Sequence, residues 1–190
     1  MNVPPLRLRQ WRDSDLQRFA EMNADPEVMR FFLKPLSFDE SKAVMHRFRD
    51  GIDQRGWGLW AVEVEGEFAG FTGLSEPTFV SDFTPCVEIG WRFRPEYWGR
   101  GIAYAAAREA EAFAFGQLEL PELVSFTTES NLRSRRLMER LGFSRNPEED
   151  FPHPLVPADH PLVRHVLYRK PSDQWMEESG GACPRGVLQK

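Results

Sequence analysis

The stretch that decides the fold is VEIGWRFRPEYWGRGIA, residues 87–103 of the 190-residue chain. Apolar side chains fill every second position from Val87 to Phe93, and this period of two predicts a β-strand. A proline two residues later cannot donate to a sheet ladder and ends the strand. Gly99 and Gly101 then predict a permissive turn, and the alanine-rich run at 102–115 predicts a helix. The stretch therefore encodes a strand, a glycine-containing loop and a helix N-terminus.

The loop of this unit has the features of a phosphate-binding site. The first N–H groups of a helix lack intrahelical acceptors and lie at the positive end of the helix dipole, where phosphate binds. Arg100, between the glycines, adds a positive charge. A dinucleotide-binding loop is excluded because Tyr104 replaces its third glycine, and an ATP-binding P-loop because its Gly-Lys-Ser/Thr ending is missing. A Gly-x-Gly pair taken alone is more typical of a tight turn before a buried helix.

A second motif downstream gives the loop a family context. Residues 131–134 read NLRS and residues 139–143 read ERLGF, about thirty residues after the loop. With these two motifs in this order, the chain resembles the GNAT superfamily of acyl-coenzyme A N-acyltransferases over roughly residues 6–170. The family's pyrophosphate loop runs Gln/Arg-x-x-Gly-x-Gly/Ala and matches residues 98–103, with Trp98 in place of the commonest first residue. That Trp occurs in the branch of the ribosomal-protein N-terminal acetyltransferases, which the chain resembles most.

The resemblance implies an α/β fold with a mixed, mostly antiparallel sheet of about seven strands and helices on both faces. We expect one domain at 6–170 and a C-terminal extension at 171–190 that is poorly ordered. Hydrophobic periodicity and capping signals along the chain agree with this order of elements. They predict further strands at 6–11, 59–64, 68–74, 123–127 and 163–169, and helices that begin after residues 15, 25, 37 and 131.

The resemblance also implies the activity, which is transfer of an acetyl group from acetyl-coenzyme A to a primary amine. The amine, on a protein N-terminus or a small molecule, would attack the thioester directly through a tetrahedral intermediate. By the same resemblance, the pantetheine arm lies where the strand ending at Phe93 splays from the strand at 124–127, and a nearby backbone N–H stabilises the oxyanion. The residues expected to contact the donor are Phe93, Trp98, Gly99, Arg100, Gly101, Ile102, Ala103 and Asn131, the last of which is also a typical helix cap.

Two residues are predicted to be catalytic. Many family members have a Tyr where Met138 stands, so Ser134 is the substitute proton donor that the resembling branch suggests. A solvent-facing serine in the first turn of a helix is equally common. Glu88 is a candidate base, on the strand face opposite Ile89 and ~17 Å before a splay at Phe93, a distance that allows action only through water or electrostatic attraction. The alternatives are an ion pair between Glu88 and an arginine such as Arg92, or another base among His153, His160, His165, Asp150 and Asp159.

Two further segments are expected to border the acceptor. The loop at 147–161 contains five prolines, which make it stiff enough to form a wall of the acceptor pocket. The aromatic patch that includes Phe31 and Phe32 fits either the core or a substrate cleft, with the core favoured. No metal is expected, because the histidines and aspartates of the loop fit no known ligand spacing.

Composition limits the classes of partner. The net charge of −5 and the lack of a basic stripe argue against nucleic acid. No apolar run approaches the ~18 residues of a membrane span, and no signal peptide is recognisable. Cys86 and Cys183 are interpreted as free thiols in the cytoplasm. We expect a monomer or homodimer. The alternative functions are acetylation of a polyamine, amino acid or aminoglycoside, and a non-catalytic acyl-coenzyme A sensor.

Overall fold

A sheet of eight strands, flanked by five α-helices, forms the part of the chain that this computed structural model describes, residues 3–178. In chain order the elements are β1 (Leu6–Arg9), α1 (Leu16–Ala24), α2 (Phe38–Arg55), β2 (Leu59–Val64), β3 (Glu67–Ser75), β4 (Glu88–Phe93), α3 (Ile102–Gly116), β5 (Glu122–Thr128), α4 (Leu132–Arg140), β6 (Ser144–Arg145), β7 (Phe151–Pro152), β8 (Arg164–Pro171) and α5 (Ser172–Glu178).

The strands lie in the order β1-β2-β3-β4-β5-β8-β6, and β7 also pairs with β8. Every pairing is antiparallel except that of β4 with β5, which is parallel. The predicted fold class, a mixed and mostly antiparallel sheet, is therefore confirmed. The two extra strands, β6 and β7, have two residues each.

Two apolar clusters show that helices cover both faces of the sheet. Side chains alternate between faces along β2, so Trp60 and Val62 join a cluster with α3 and α4, whereas Ala61 joins a cluster with α1 and α2. At the start of α2, Ser37 and Glu40 form the predicted capping box. No helix within residues 3–178 is both long and apolar enough to cross a membrane.

The end of the described chain corrects one expectation. Residues 172–178 form α5, so the prediction of a poorly ordered extension from Pro171 is wrong for this segment. Trp175 is buried and packs on Phe115, with the ring centroids 5.5 Å apart. Lys170, itself fully buried, forms an ion pair with Glu178 at 2.7 Å. These contacts hold a helix too short to be stable alone. Residues 179–190 lie outside the described residues.

The segment after α1 also differs from expectation. Residues 26–30 form turns, not the helix predicted after Asp25. The aromatic patch is divided between two environments. Val28 and Met29 are buried, but Phe32 remains 44% exposed and lines the large cleft described next. This segment therefore contributes to both the core and the cleft wall.

Candidate active site

A cleft of about 990 Å³ opens where β4 and β5 part. The two strands share one ladder pair, Glu88 with Val124. Beyond it, the Ser125 hydroxyl donates to the Ile89 carbonyl at 2.9 Å in place of the next ladder bond. The strands therefore diverge from Ile89 onwards, so the expected splay point at Phe93 is wrong by about four residues.

The divergence leaves backbone groups of β4 without a neighbouring strand. Arg94 N–H donates to Ala69 of the next antiparallel strand at 3.0 Å. Because successive residues of a strand direct their backbone groups to opposite sides, Trp91 and Phe93 direct theirs towards the cleft. The Phe93 carbonyl accepts from the Trp98 indole at 2.8 Å. The N–H and C=O of Trp91 and the N–H of Phe93 are thus placed to bind an extended ligand.

The glycine loop brings a row of N–H donors to one end of the cleft. Gly99 and Gly101 have φ angles of 71° and 78°, in the left-handed region that favours glycine, and Gly101 caps α3. From Gly99 to Tyr104, no backbone N–H has an acceptor among residues 3–178. This arrangement matches the predicted phosphate-binding helix terminus.

The structure places most of the expected donor-binding residues around this end. Phe93, Trp98, Gly99, Gly101, Ile102, Ala103 and Asn131 all line the cleft. Arg100 does not: it is exposed, and its guanidinium lies 5.6 Å from the ring centroid of Tyr97. The structure therefore does not place the Arg100 side chain among the residues that line the cleft. Besides Arg92 of β4, three arginines of α4 line the cleft, namely Arg133, Arg136 and Arg140.

Asn131 and Ser134 sit together at the start of α4. Asn131 is the N-cap, since its Oδ1 accepts from Ser134 N–H at 3.3 Å, and its Nδ2 donates to Thr127 Oγ1 at 3.0 Å. The Ser134 hydroxyl forms no hydrogen bond with any part of the described chain. It lines the cleft and is free to contact a ligand there.

Glu88 lines the cleft and lies next to the point where β4 and β5 part, not five residues before it as expected. Its Oε2 accepts a long hydrogen bond of 3.4 Å from the Ser75 hydroxyl. Across residues 3–178 no arginine or lysine forms an ion pair with it, so the proposed structural role as an ion-pair partner is wrong. Burial, only partly offset by Ser75, raises the pKa of Glu88 to about 8.

The remaining candidate bases divide into two groups. His153 and His165 line the cleft with ring centroids 4.7 Å apart, and burial lowers the pKa of both, to about 4 for His165. His160 does not line it; its Nδ1 accepts from Leu162 N–H at 3.1 Å. Asp150 forms ion pairs with Arg145 and Arg164, and Asp159 is exposed outside the cleft. The middle of the proline-rich loop thus borders the cleft through His153, Leu155 and Val156. That it forms a wall of the acceptor pocket stays a prediction.

Sequence reasoning assigned no role in the cleft to Ser75 and Arg92, two polar residues near Glu88. Ser75 faces Glu88 across the ladder between β3 and β4, and Arg92 lies four residues after Glu88 on the same strand face. The alternation along β4 could have shown that Arg92 accompanies Glu88, because it places Glu88, Gly90 and Arg92 on the face of the strand opposite Ile89. Among residues 3–178 no group of three or more His, Cys, Asp or Glu is arranged to hold a metal ion.

Comparison with known families shows to which protein family this chain belongs. A model described as an acetyltransferase (GNAT) domain matches residues 5–144. The chain belongs to this family. As a GNAT acetyltransferase it uses acetyl-coenzyme A as acyl donor, which confirms the predicted family, enzyme class and co-substrate.

Individual relatives of this GNAT acetyltransferase carry different names. The FsC-acetyl coenzyme A-N(2)-transacetylase of Aspergillus fumigatus is 34% identical over 134 residues, which is 65% of this chain and 56% of that protein's length. An acetyltransferase from Agrobacterium tumefaciens is similar in structure, with a TM-score of 0.70, 26% identity and coverage of 90% of this chain and 92% of the other. The spermidine N-acetyltransferase of Vibrio cholerae, solved with coenzyme A and spermine, has a TM-score of 0.70 at 20% identity, over 90% and 98% of the chains.

The cleft of this GNAT acetyltransferase fits the donor that the family uses. The unpaired N–H groups at 99–104 suit a pyrophosphate. The free N–H and C=O of Trp91 and the N–H of Phe93 suit an amide-containing arm, because such an arm offers both donors and acceptors. At the rim, Arg133 stacks on Trp98 at 4.6 Å and Arg140 on Tyr104 at 4.3 Å, which places two cations beside the phosphate end.

Proposed function

We propose that this protein acetylates the primary amine of a small molecule or of a peptide N-terminus. The observation that supports the proposal best is the cleft between β4 and β5. It carries phosphate-binding backbone groups at one end and, on β4, the carboxyl group of Glu88, which has no ion-pair partner among residues 3–178. A donor thioester and an amine can therefore meet along β4.

On the donor side, the loop at 98–103 and the N-terminus of α3 would hold the pyrophosphate. The backbone of Trp91 and Phe93 would bind the pantetheine arm in the place of a missing strand. With the arm in this position, the Trp91 or Phe93 N–H is available to donate to the oxyanion that forms when the amine attacks the thioester carbonyl.

On the acceptor side, Glu88 is the group suited to take up a proton. An amine must lose its proton to attack, and free α-amines titrate near pH 7.7–8.0. The pKa of Glu88, about 8, is close to this range, so its carboxylate can accept the proton at neutral to mildly alkaline pH, directly or through water. Ser134, whose hydroxyl is free, is placed to give a proton to the leaving thiolate.

The named relatives support an amine acceptor but differ in its identity. The Aspergillus protein is named for transfer to an N(2) nitrogen, and the Vibrio protein for transfer to spermidine. Both names specify nitrogen. They leave open whether the acceptor here is a polyamine, another small amine or a peptide.

Release of free coenzyme A thiol from acetyl-coenzyme A, measured with a panel of acceptors, tests the proposal. The panel contains amino acids, polyamines, an aminoglycoside and peptides with free N-termini, and a reaction without acceptor gives the background. We expect thiol release above background with at least one class, together with a mass increase of one acetyl group on the acceptor. Tight binding of acetyl-coenzyme A with no transfer to any amine would instead identify a non-catalytic sensor.

A further inference from the structure

Arg92 is a charged residue in the cleft that the proposed chemistry does not use. It lies on β4, two residues beyond Gly90, and its guanidinium carbon sits 4.1 Å from the ring centroid of Phe32 and 5.4 Å from that of Phe71. Phe71 belongs to the face of the sheet that α1 and α2 cover, and both rings line the cleft. Arg92 therefore borders the half of the cleft away from the glycine loop.

The guanidinium has no carboxylate partner within the described range, 3–178. Its Nη1 donates to Asn23 Oδ1 at 2.7 Å, whereas Nε is buried and makes no hydrogen bond with the described residues. Burial lowers the pKa of Arg92 to about 10, so the side chain is still a cation at neutral pH. A half-buried cation without a counter-charge is costly, and a charged group with a perturbed pKa in a cleft is a candidate for a functional role.

Its surroundings hold this cation in one place. Asn23, fully buried on α1, is itself fixed by a hydrogen bond of 3.2 Å to the Ser41 hydroxyl. The two phenylalanine rings restrict the guanidinium plane by cation–π contact. The side chain is thus positioned before any ligand binds, which lowers the entropic cost of binding one.

The unused edge of Arg92 has the shape of a carboxylate site. It consists of Nε and Nη2, neither of which has an acceptor in the part of the chain that the structure describes. Elsewhere in this protein, Arg145 uses its own Nε and Nη2 to hold both oxygens of Asp150, with the Nε bond at 3.0 Å. Parallel N–H groups of this kind match a planar carboxylate.

Gly90 leaves room for a ligand between Arg92 and Glu88. A Cβ atom placed on Gly90 would meet a single atom within 4 Å, Glu88 Oε1 at 3.9 Å. Glu88 and Arg92 each lie two residues, or ~7 Å along the strand, from this open position. A ligand over Gly90 thus has a proton acceptor on one side and a fixed cation on the other.

From this arrangement we propose that the acceptor is an amine that also carries a carboxylate near the reacting nitrogen, and that Arg92 binds this carboxylate. The inference rests on the proposed amine acetylation and narrows its acceptor to amino acids and similar short amino carboxylates. It argues against polyamines, because a second ammonium group would lie beside the guanidinium and be repelled.

The test compares pairs of amines that differ in the carboxylate, alanine with alaninamide and 4-aminobutyrate with butylamine. We expect the native protein to favour the carboxylate member in kcat/KM, through a lower KM. Replacing Arg92 by Met should reduce this preference about 10- to 100-fold, as expected for loss of a charged hydrogen bond, and leave the KM of acetyl-coenzyme A unchanged. Since both proteins are given the same two amines, differences in amine pKa cancel.

Two further variants serve as references. Arg92→Lys keeps the charge without the planar edge and should retain part of the preference. Arg94→Met removes a neighbouring arginine that does not line the cleft and is paired with Glu96 at 2.5 Å, so it should leave the preference intact.

An inhibition experiment on the native protein tests the same site without any substitution. Butyrate should inhibit competitively against the acceptor, and butyramide should not.

The outcomes separate this inference from the function on which it rests. If no amine of any class releases thiol, the proposed acetylation fails. If amines are acetylated but the native protein shows no carboxylate preference, or folded Arg92→Met keeps that preference unchanged, the role of Arg92 is refuted while acetylation stands. Should Arg92→Met not fold, the butyrate experiment and Arg92→Lys decide the question.

Discussion

The carboxyl group of Glu88 sets the pH range in which we expect the enzyme to work. Its pKa of about 8 means that the basic form increases as pH rises through that value. Turnover of the native protein should rise with a midpoint near pH 8. Glu88→Gln should abolish this rise and lower turnover by about 10²- to 10⁴-fold, the usual contribution of a general base.

Glu109 provides a matched control for this prediction. Burial raises its pKa to about 7, but it lies on α3 outside the cleft lining. Glu109→Gln should therefore keep both turnover and the shape of the pH profile. If Glu88→Gln also keeps them, Glu88 is not the base.

The same pKa makes a prediction about stability. The folded-state value for Glu88 exceeds the ordinary value of 4.5, so the unfolded chain loses this proton first as pH rises. Stability is lost between about pH 4.5 and 8, and the loss is complete above 8. Glu88→Gln should hence raise the melting temperature at pH 9 relative to the native protein and have little effect at pH 4. Calorimetry at both values checks the sign.

Ser134 is the other predicted catalytic residue, and a single substitution tests its role. If it protonates the leaving thiolate, Ser134→Ala should lower turnover by ~10²-fold, the lower end for a general acid, with a smaller effect on coenzyme A affinity. The exposed Ser144, outside the cleft, is the control and its replacement by Ala should change neither. Preserved turnover with weakened binding would show that Ser134 only positions the donor.

At the scale of single elements, the glycine loop before α3 offers a test of donor binding. Gly99 and Gly56 have φ angles of 71° and 79°, and a Cβ on either meets no atom within 4 Å. Gly99→Glu and Gly56→Glu should therefore lose similar stability, about 1–3 kcal/mol. Only Gly99→Glu, which puts a negative charge beside the phosphate position, should abolish coenzyme A binding in titration calorimetry. Equal affinities in the two variants would refute the loop assignment.

The short helix α5 makes a prediction about stability alone. Trp175 is 5% exposed, and its buried indole N–H has no partner among residues 3–178. Trp175→Ala should cost about 3–5 kcal/mol, the usual loss for a large buried aromatic side chain. Trp175→Phe should cost far less, because it keeps the ring contact with Phe115 and removes the unsatisfied donor. Denaturant unfolding measures both, and the KM of acetyl-coenzyme A should be unaffected.

The elements that sequence reasoning predicted are those whose hydrophobic pattern repeats over enough residues or whose capping residues are clear. The alternation along β4 and the capping box of α2 are local signals, and both are present in the structure. By contrast, β6, β7 and α5 have two, two and seven residues, too few for a periodic pattern. They are stabilised by pairing with β8 and by Trp175, which are tertiary contacts.

The candidate site was predictable to a similar extent. The loop at 98–103 carries its own motif, so its position at the cleft followed from the sequence. The point where β4 and β5 part did not, because it depends on the Ser125 hydroxyl replacing a ladder bond from the neighbouring strand. Because of that error, the prediction placed Glu88 far from the splay point and gave Arg92 no role in the cleft.

For the whole molecule, we expect a large stabilisation by coenzyme A. Ligand at 100 times its Kd adds about 2.7 kcal/mol, which raises the melting temperature of a domain of this size by roughly 5–11 °C. Hydrogen exchange should slow at the cleft-facing amides of β4 and β5 and remain unchanged in β1 and β2. Protection confined to the N-terminus of α3 would show that the ligand does not occupy the gap between the strands.

In mechanical terms, the parallel junction between β4 and β5 is a seam. The neighbouring junction of β3 with β4 is held by six residue pairs, but this one is held by a single pair. A pull across the sheet should therefore tear it first at the seam, and a ligand bonded to both edges should raise the rupture force. In each catalytic cycle the donor would then bridge β4 and β5 when it binds, and the bridge would be lost when coenzyme A leaves. The stiffness of the sheet would therefore change with every turnover.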